Sequence, residues 1–326
     1  MKFLIVGLGS AGKRRIRNLK YLQSGTIIGC DPHLDTRDEA SQRYRIHTFE
    51  DFFEAMLQDP DALIICAPPD LRLHFALEAT KAHKHFFTET ALESNQLAEL
   101  IPLLKDKSMI AAPSCLGRFY PGPKRIQKLF REEKAIGRPL TFTYHFSQYT
   151  GDRQSLEVFP PTSINTHIWK EMVLSELIWL NELFGKIESI SHYRGKPNDS
   201  ETEVNAVQHL LIQFESGLTG HLLVDVVSRT PIHHLQIVGT DGNIEWDDNE
   251  QVVKIYSVEN RLWRTEPLIR GCVENMYINP EEPYIDEMRC FLEAVQGITS
   301  YPFTFEGIYD LLHLLSQIEA GWVHVG

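Results

Sequence analysis

The residues best placed to do chemistry come early: "GLGSAG" sets Gly7, Gly9 and Gly12 in G-x-G-x-x-G spacing, after the apolar run "KFLIV" and before "KRRIRNLKYL". In that context each glycine has a task. Gly7 permits a tight turn, Gly9 lets backbone approach a pyrophosphate, and Gly12 lets a helix pack closely on the preceding strand. A diphosphate would rest on the helix start, at Ser10 and Ala11, where unpaired N–H groups and the helix dipole favour an anion. A second apolar run, "GTIIGCD", ends in Asp31, nineteen residues past Gly12. A carboxylate there can accept hydrogen bonds from a ribose and repel a 2′-phosphate, which predicts NAD ahead of NADP. NADP stays possible because Arg14 or Arg15 could offer a guanidinium to phosphate. The competing role for Asp31 is that of a turn or cap residue before Pro32.

Further candidates follow at the ends of later runs. "DALIICAPP" reads as another buried strand, "DLRLHFALEATKAHK" as a helix carrying His74, and "HFFTETAL" as a strand meeting the same crevice. Open α/β sheets bind ligands outside the carboxyl ends of their strands, so Pro68, Pro69, His74 and Glu89 join the expected cofactor set, and Glu89 and Thr90 are candidates for catalysis. A threonine hydroxyl can donate one hydrogen bond, but it holds no dissociable proton near neutral pH.

The elements that must position these residues follow from pattern. Strand and helix alternate over residues 1–120, which predicts an α/β, doubly wound parallel Rossmann sheet. From residue 121 one helix, "GPKRIQKLFREEKAI", gives way to alternating runs such as "PLTFTYHFSQY", "AVQHLLIQFES", "LTGHLLVDVVS" and "IHHLQIVGTDGNIEWD". They predict a mostly antiparallel, open-sheet α+β domain over 121–326 for substrate binding and oligomerisation, with two C-terminal amphipathic helices free to pack back on the first domain. A chain of 326 residues suits two domains.

Composition narrows the partners. A formal charge of −12, from 44 acidic and 32 basic residues, argues against nucleic acid, which needs clustered cations. The dense basic run "GKRRIRNLK" reads as a solvated helix face. No stretch of about 18 apolar residues exists to span a membrane, and the N-terminus is too short in apolar residues for a signal-peptide core. Five cysteines show no metal-ligand or disulfide spacing, so no metal is expected and the thiols read as free in a reducing cytoplasm.

In this order the pieces "GLGSAG", "APPDLRLHFALEATKAHKHFFTETAL", "FESGLTGHLLVDVVS", "IVGTDGNIEWD" and "FLEAVQG…TFEGIYDLLHLLSQIEA" resemble the glucose-fructose oxidoreductase, inositol dehydrogenase and MocA (Gfo/Idh/MocA) family, from Lys2 to about Trp322. The resemblance implies an NAD(P)-binding Rossmann domain and a sheet that walls the substrate site and often forms an oligomer interface. It also implies a carbohydrate-like or cyclitol substrate. A homodimer or homotetramer is expected, because "LTGHLLVDVVS" shows apolar residues on both faces.

The departures from that family lie where it does chemistry. Its members carry Glu-Lys-Pro where this chain has Glu89, Thr90 and Ala91. Their acidic, His and Asp positions on a later helix, counted back from "LFG", fall here on Glu171, Ser175 and Ile178, and the glycine pair before that helix is replaced by "FPPTSINTH". His167 and Lys170 are candidate substitutes. His167 stands about 12 Å along a helix from position 175, against about 7.5 Å for Lys170. Both also suit a solvated helix start. Glu171 reads equally as a cap or a buried hydrogen-bonding carboxylate. Tyr144, His145, Tyr149, Arg153, His167 and Lys170 are candidate substrate contacts. Two functions stay open: an NAD(P)-dependent oxidoreductase with atypical acid-base residues, and a catalytically inert dinucleotide- or metabolite-binding sensor or scaffold of the same fold.

Overall fold

The computed structural model describes residues 1–89, 92–105, 108–147, 168–195, 207–269, 271–274 and 279–319. The chain forms two compact units, Met1–Phe119 with Gly271–Leu312, and Tyr120–Arg270 with His313–Gly326.

Short apolar runs that are buried along their length build the first unit. β1 (Lys2–Val6), β2 (Thr26–Cys30), β3 (His47–Phe49), β4 (Ala62–Ile65), β5 (His85–Thr88) and β6 (Ala111–Pro113) form a six-stranded sheet in the order β3-β2-β1-β4-β5-β6. Every pairing is parallel. Parallel neighbours need crossovers, supplied by α1 (Ser10–Tyr21), α2 (Leu34–Tyr44), α3 (Phe52–Met56), α4 (Pro69–Lys81) and α5 (Ser94–Leu104). This is the doubly wound layout expected from the alternation of strands and helices.

The second unit opens with α6 (Pro121–Arg131), β7 (Pro139–Ser147) and α7 (Ile168–Phe184). It continues through β8 (Ile187–Gly195), β9 (Val207–Phe214), β10 (Thr219–Asp225), β11 (Ile232–Gly239), β12 (Gly242–Asp247), β13 (Val252–Ser257) and β14 (Leu262–Pro267). The eight strands run β14-β13-β12-β11-β7-β10-β9-β8. Only β7 and β10 pair in parallel, so the sheet is mostly antiparallel, as expected. Its period-two pattern is visible in the burial: Gly220, Leu222 and Val224 are buried beside Phe142, Tyr144, Leu210 and Ile212. The ring of Phe184 from α7 stacks on Phe142 at 5.0 Å. A side chain at 220 would stand 2.0 Å from the Phe142 ring, so glycine is required there. The opposite face carries Thr141, Thr143, His209, Leu211, Thr219 and His221, all partly or fully exposed.

The chain then returns to the first unit as α8 (Glu282–Val295) and begins α9 (Phe305–Glu319) there. α8 lies against α1, and its Met288, Phe291 and Leu292 join the core of Phe3, Ile5, Ile16, Leu19 and Phe87. This seam corrects the reading of "GKRRIRNLK" as a solvated helix face, because Arg14, Arg15 and Asn18 are buried. The physical reason is an acidic partner far along the chain: Glu281 takes Arg14, Arg17 and Asn18, and Glu287 takes Arg15. Among the described residues no helix is long and apolar enough to cross a membrane.

Candidate functional site

The glycine loop sits where β1 hands over to α1. Gly7 has φ +91°, and a Cβ there would stand 2.8 Å from the Cys66 carbonyl oxygen. A Cβ on Gly12 would lie 1.9 Å from the Gly7 carbonyl oxygen. The interior therefore demands both residues. Gly9 differs: as N-cap of α1 it has nothing within 4 Å of an added Cβ, so open space lies before the helix start. No side chain caps α1 and no acid stands in its first turn, which leaves the positive end of the helix dipole unopposed by a carboxylate.

Asp31 follows β2 and is bound into this loop. Its Oδ2 accepts from the Leu8 N–H at 2.9 Å, and its Oδ1 accepts from the His33 N–H at 2.9 Å with the His33 ring Nδ1 at 3.1 Å. The turn role and the loop-facing role are thus held by one side chain. A carboxylate offers about four acceptor sites, so capacity remains for a ribose hydroxyl. Open space at Gly9, an uncapped helix start and a carboxylate at the end of β2 fit a dinucleotide.

The guanidiniums weighed for a 2′-phosphate make other contacts in this structure. Arg14 Nε donates to Glu281 at 3.1 Å and its guanidinium lies 4.0 Å over the Tyr284 ring. Arg15 is 1 % exposed and donates through Nε to Glu89 Oε1 at 2.9 Å and through Nη2 to Glu287 Oε2 at 2.7 Å. Arg37 donates to the carbonyls of Asp31 and Pro32 and pairs with Glu50.

Pro68 caps α4 and Pro69 is its first residue, both exposed at the carboxyl edge of the sheet. His74 is exposed one and a half turns into α4, about 7.5 Å along the axis from Pro69, and so stands apart from that edge. Glu89 follows β5 directly, and its N–H donates to the Ile65 carbonyl. Its side chain is 21 % exposed. Glu287 is fully buried, and its Oε1 accepts from Ser114 Oγ at 2.9 Å and the Cys115 N–H at 2.7 Å. Burial pushes the Glu287 carboxyl up, while the Arg15 guanidinium works against that. Burial, and then the Glu89 charge, raise the Cys66 thiol far above its ordinary value, so it is no nucleophile.

In the second unit, the described α7 positions offer little acid-base capacity. Ser175 Oγ donates to the Met172 carbonyl at 2.8 Å, and Ile178 is buried. Lys170 is half-buried near the helix start. The acid that α7 does bury is Glu176, which the sequence reading missed. Tyr144 Oη donates to it at 2.8 Å and Trp179 Nε1 at 2.6 Å. Tyr144 is therefore a core residue and no substrate wall, and burial followed by the Glu176 charge raises its phenol well above the ordinary value. His145 points to the opposite face of the sheet, with Nε2 2.6 Å from Asp225 Oδ2. Thr90, Tyr149, Arg153 and His167 lie outside the described residues, as does the side chain of Glu171. No group of three or more His, Cys, Asp or Glu stands ready to hold a metal among the described residues.

Comparison with known proteins agrees with this geometry. A family model described as an oxidoreductase family with an NAD-binding Rossmann fold matches residues 1–113. A second, the GFO/IDH/MocA C-terminal domain, matches residues 125–245. Together they cover well over half of the chain. Among solved structures, a levoglucosan dehydrogenase in complex with NADH and levoglucosan is 17% identical with TM-score 0.78, over 98% of this chain and 96% of the other. The UDP-N-acetylglucosamine 3-dehydrogenase of Acidithiobacillus ferrooxidans is 16% identical with TM-score 0.77, over 98% and 97%. An oxidoreductase of Agrobacterium radiobacter, in complex with NAD+, L-tartaric acid and magnesium, is 13% identical with TM-score 0.82, over 97% and 94%. At these identities the likeness establishes a shared fold. No curated protein matches the sequence.

Proposed function

The chain belongs to the Gfo/Idh/MocA oxidoreductase family, and from that premise we propose an NAD(P)-dependent oxidoreductase acting on a hydroxyl or carbonyl carbon of a sugar, sugar-nucleotide or cyclitol derivative. The observation that carries the reading is the cradle of Gly7, Gly9, Gly12 and Asp31, with open space before α1 and spare acceptor capacity on Asp31. The dinucleotide supplies hydride chemistry when bound. The chain's own residues bind and orient it. The backbone at Gly9, Ser10 and Ala11 would meet the diphosphate, Asp31 the adenosine ribose, and Pro68, Pro69 and Glu89 the nicotinamide half. Asp31, with Arg14, Arg15 and Arg37 all paired elsewhere, makes NAD the preferred form.

Proton handling then differs from that of the family. Thr90 and Ser175 offer hydroxyls and Ile178 offers nothing titratable. Glu89, Lys170, His167 and Glu171 are the groups left to accept or hold a proton, with substrate or water as relay. Named neighbours in complex with levoglucosan or tartaric acid support a polyhydroxylated substrate.

A second reading, an inert dinucleotide-binding sensor or scaffold, is favoured by α7 alone, where the Ser175 hydroxyl is satisfied within the helix and Ile178 is buried. The two are separated by titrating the protein with NADH and NADPH by fluorescence and then assaying reduction of NAD and NADP over a panel of sugars, sugar nucleotides and cyclitols. Turnover on any member supports the enzyme, and binding without turnover across the panel supports the sensor. Failure to bind either dinucleotide overturns both, and tighter NADPH than NADH overturns the NAD preference.

The open face of the second sheet, with exposed Tyr193 and with Leu211 and His221 lining a depression of about 370 Å³, supports self-association as a homodimer or homotetramer. A monomeric mass by light scattering at micromolar concentration would exclude it. Free cysteines at 30, 66, 115, 272 and 290 support a cytoplasmic location.

A further inference from the structure

We propose that Arg15 is a positioning residue that couples the two halves of the dinucleotide cradle, holding the Glu89 carboxylate in place from the helix that receives the diphosphate. The inference rests on the dinucleotide reading above and adds a role for a residue outside the glycine motif. Arg15 lies one turn beyond the loop on α1, while Glu89 lies beyond β5, two strands away from β1 in the sheet. A guanidinium is a planar fork with donors in fixed directions. Here Nε points to Glu89 and Nη2 to Glu287, with the guanidinium carbon 4.6 Å over the Phe87 ring. One arm is anchored, because Glu287 is itself held by Ser114 Oγ and the Cys115 N–H after β6. The other arm is the only described donor to the Glu89 carboxylate. The fixed end of the fork is fully buried and the free end reaches a partly exposed acid, an asymmetry that a simple ion pair across the α1–α8 seam would not need. Glu281 already neutralises Arg14 and Arg17 on that seam.

The test is a double-mutant cycle read as the NADH dissociation constant by fluorescence, with thermal unfolding measured on the same full-length samples. Arg15→Lys keeps the charge and loses the fork. It should weaken NADH about tenfold, the scale of one charge-assisted hydrogen bond. In the Glu89→Gln background the same change should add less than about twofold, because the group it positions has lost its charge. Tyr144→Phe, which removes a donor from buried Glu176 in the second unit, should lower the melting temperature while leaving NADH affinity within about twofold. If Arg15→Lys does not fold, Glu287→Asp, which draws the anchor back by one methylene, takes its place in the cycle with the same expectation. Equal losses of affinity in both backgrounds, or affinity that tracks melting temperature across all variants, would show a purely structural Arg15 and overturn the inference alone. Absence of NADH binding by the unsubstituted protein would instead overturn the proposed function, and this inference with it.

Discussion

Glu89 at the carboxyl edge of the parallel sheet and the acids buried in the second unit carry the same carboxylate group but are left in opposite states. Glu89 accepts from Arg15 through one carboxylate oxygen and is partly exposed, while Asp31 is buried at the end of β2 and accepts from the Leu8 and His33 N–H groups around it. Glu176 is buried and takes Tyr144, Trp179 and Ser175. Asp225 is buried and takes His145, Ser147, Ser228 and the N–H groups of Val227 and Ser228. An acid with solvent access can receive an outside hydrogen bond, whereas one buried among its own donors serves the fold. The comparison places Glu176 and Asp225 in the architecture of the second unit and leaves the accessible acceptor, Glu89, in the first unit beside the proposed cradle.

The strongest blow to that division is Gly12→Ala. A Cβ 1.9 Å from the Gly7 carbonyl oxygen must push α1 away from the loop. NADH affinity should fall by about two orders of magnitude or more, and retained affinity in a fluorescence titration would break the assignment of the cradle. Next comes Glu287→Ala, which strands the buried Arg15 guanidinium. It should cost about 3–5 kcal/mol in chemical denaturation, as loss of one partner from a buried ion pair does.

In the second unit the predicted effects fall on stability. Burial pushes the Asp225 carboxyl up, but the hydrogen bonds from His145, Ser228 and Ser147 outweigh it and the net shift is downward. A carboxyl lowered in the native state adds stability above its unfolded value, near pH 3.9, and that contribution is lost as pH falls through the native value. Asp225→Asn should therefore cost about 2 kcal/mol at neutral pH, and the gap to the unsubstituted protein should close below about pH 4. Unfolding curves over that range check it, and a gap that widens in acid would contradict it. Tyr144→Phe removes one donor from Glu176 and should cost about 1 kcal/mol with NADH affinity unchanged.

How much of this could be read beforehand depended on sequence distance. The glycine loop and Asp31 were legible because helix start, turn and strand end lie within 31 residues, and the backbone requirement at each glycine is local. The anchor of Arg15 was not, since Glu287 lies 272 residues away in a helix whose acids pattern like any polar face. The alternation of β10 was legible because one face is buried, but β14 is almost wholly exposed and carries no burial rhythm to detect. Glu176 was missed because positions were counted from the family's acid-base spacing, which lands on Ser175 beside it.

The smallest expected effect is at Thr90, where the family resemblance predicts a lysine. General acid-base groups contribute about 10²- to 10⁴-fold, so a site intact except for that lysine should gain turnover from Thr90→Lys. We expect no gain. The α7 positions that the resemblance fills with His and Asp hold Ser175, already donating to the Met172 carbonyl, and Ile178, which is buried. A lone ammonium would then lack the His and Asp that the resemblance supplies to relay its proton, and a like charge brought beside an oxidised nicotinamide ring disfavours binding. Thr90→Lys should weaken NAD more than NADH and create no turnover on a polyol panel, measured by NADH fluorescence, NAD competition and a rate assay. A large gain in turnover would show that the site was otherwise complete, and would sink both the altered proton handling and the inert-binder reading.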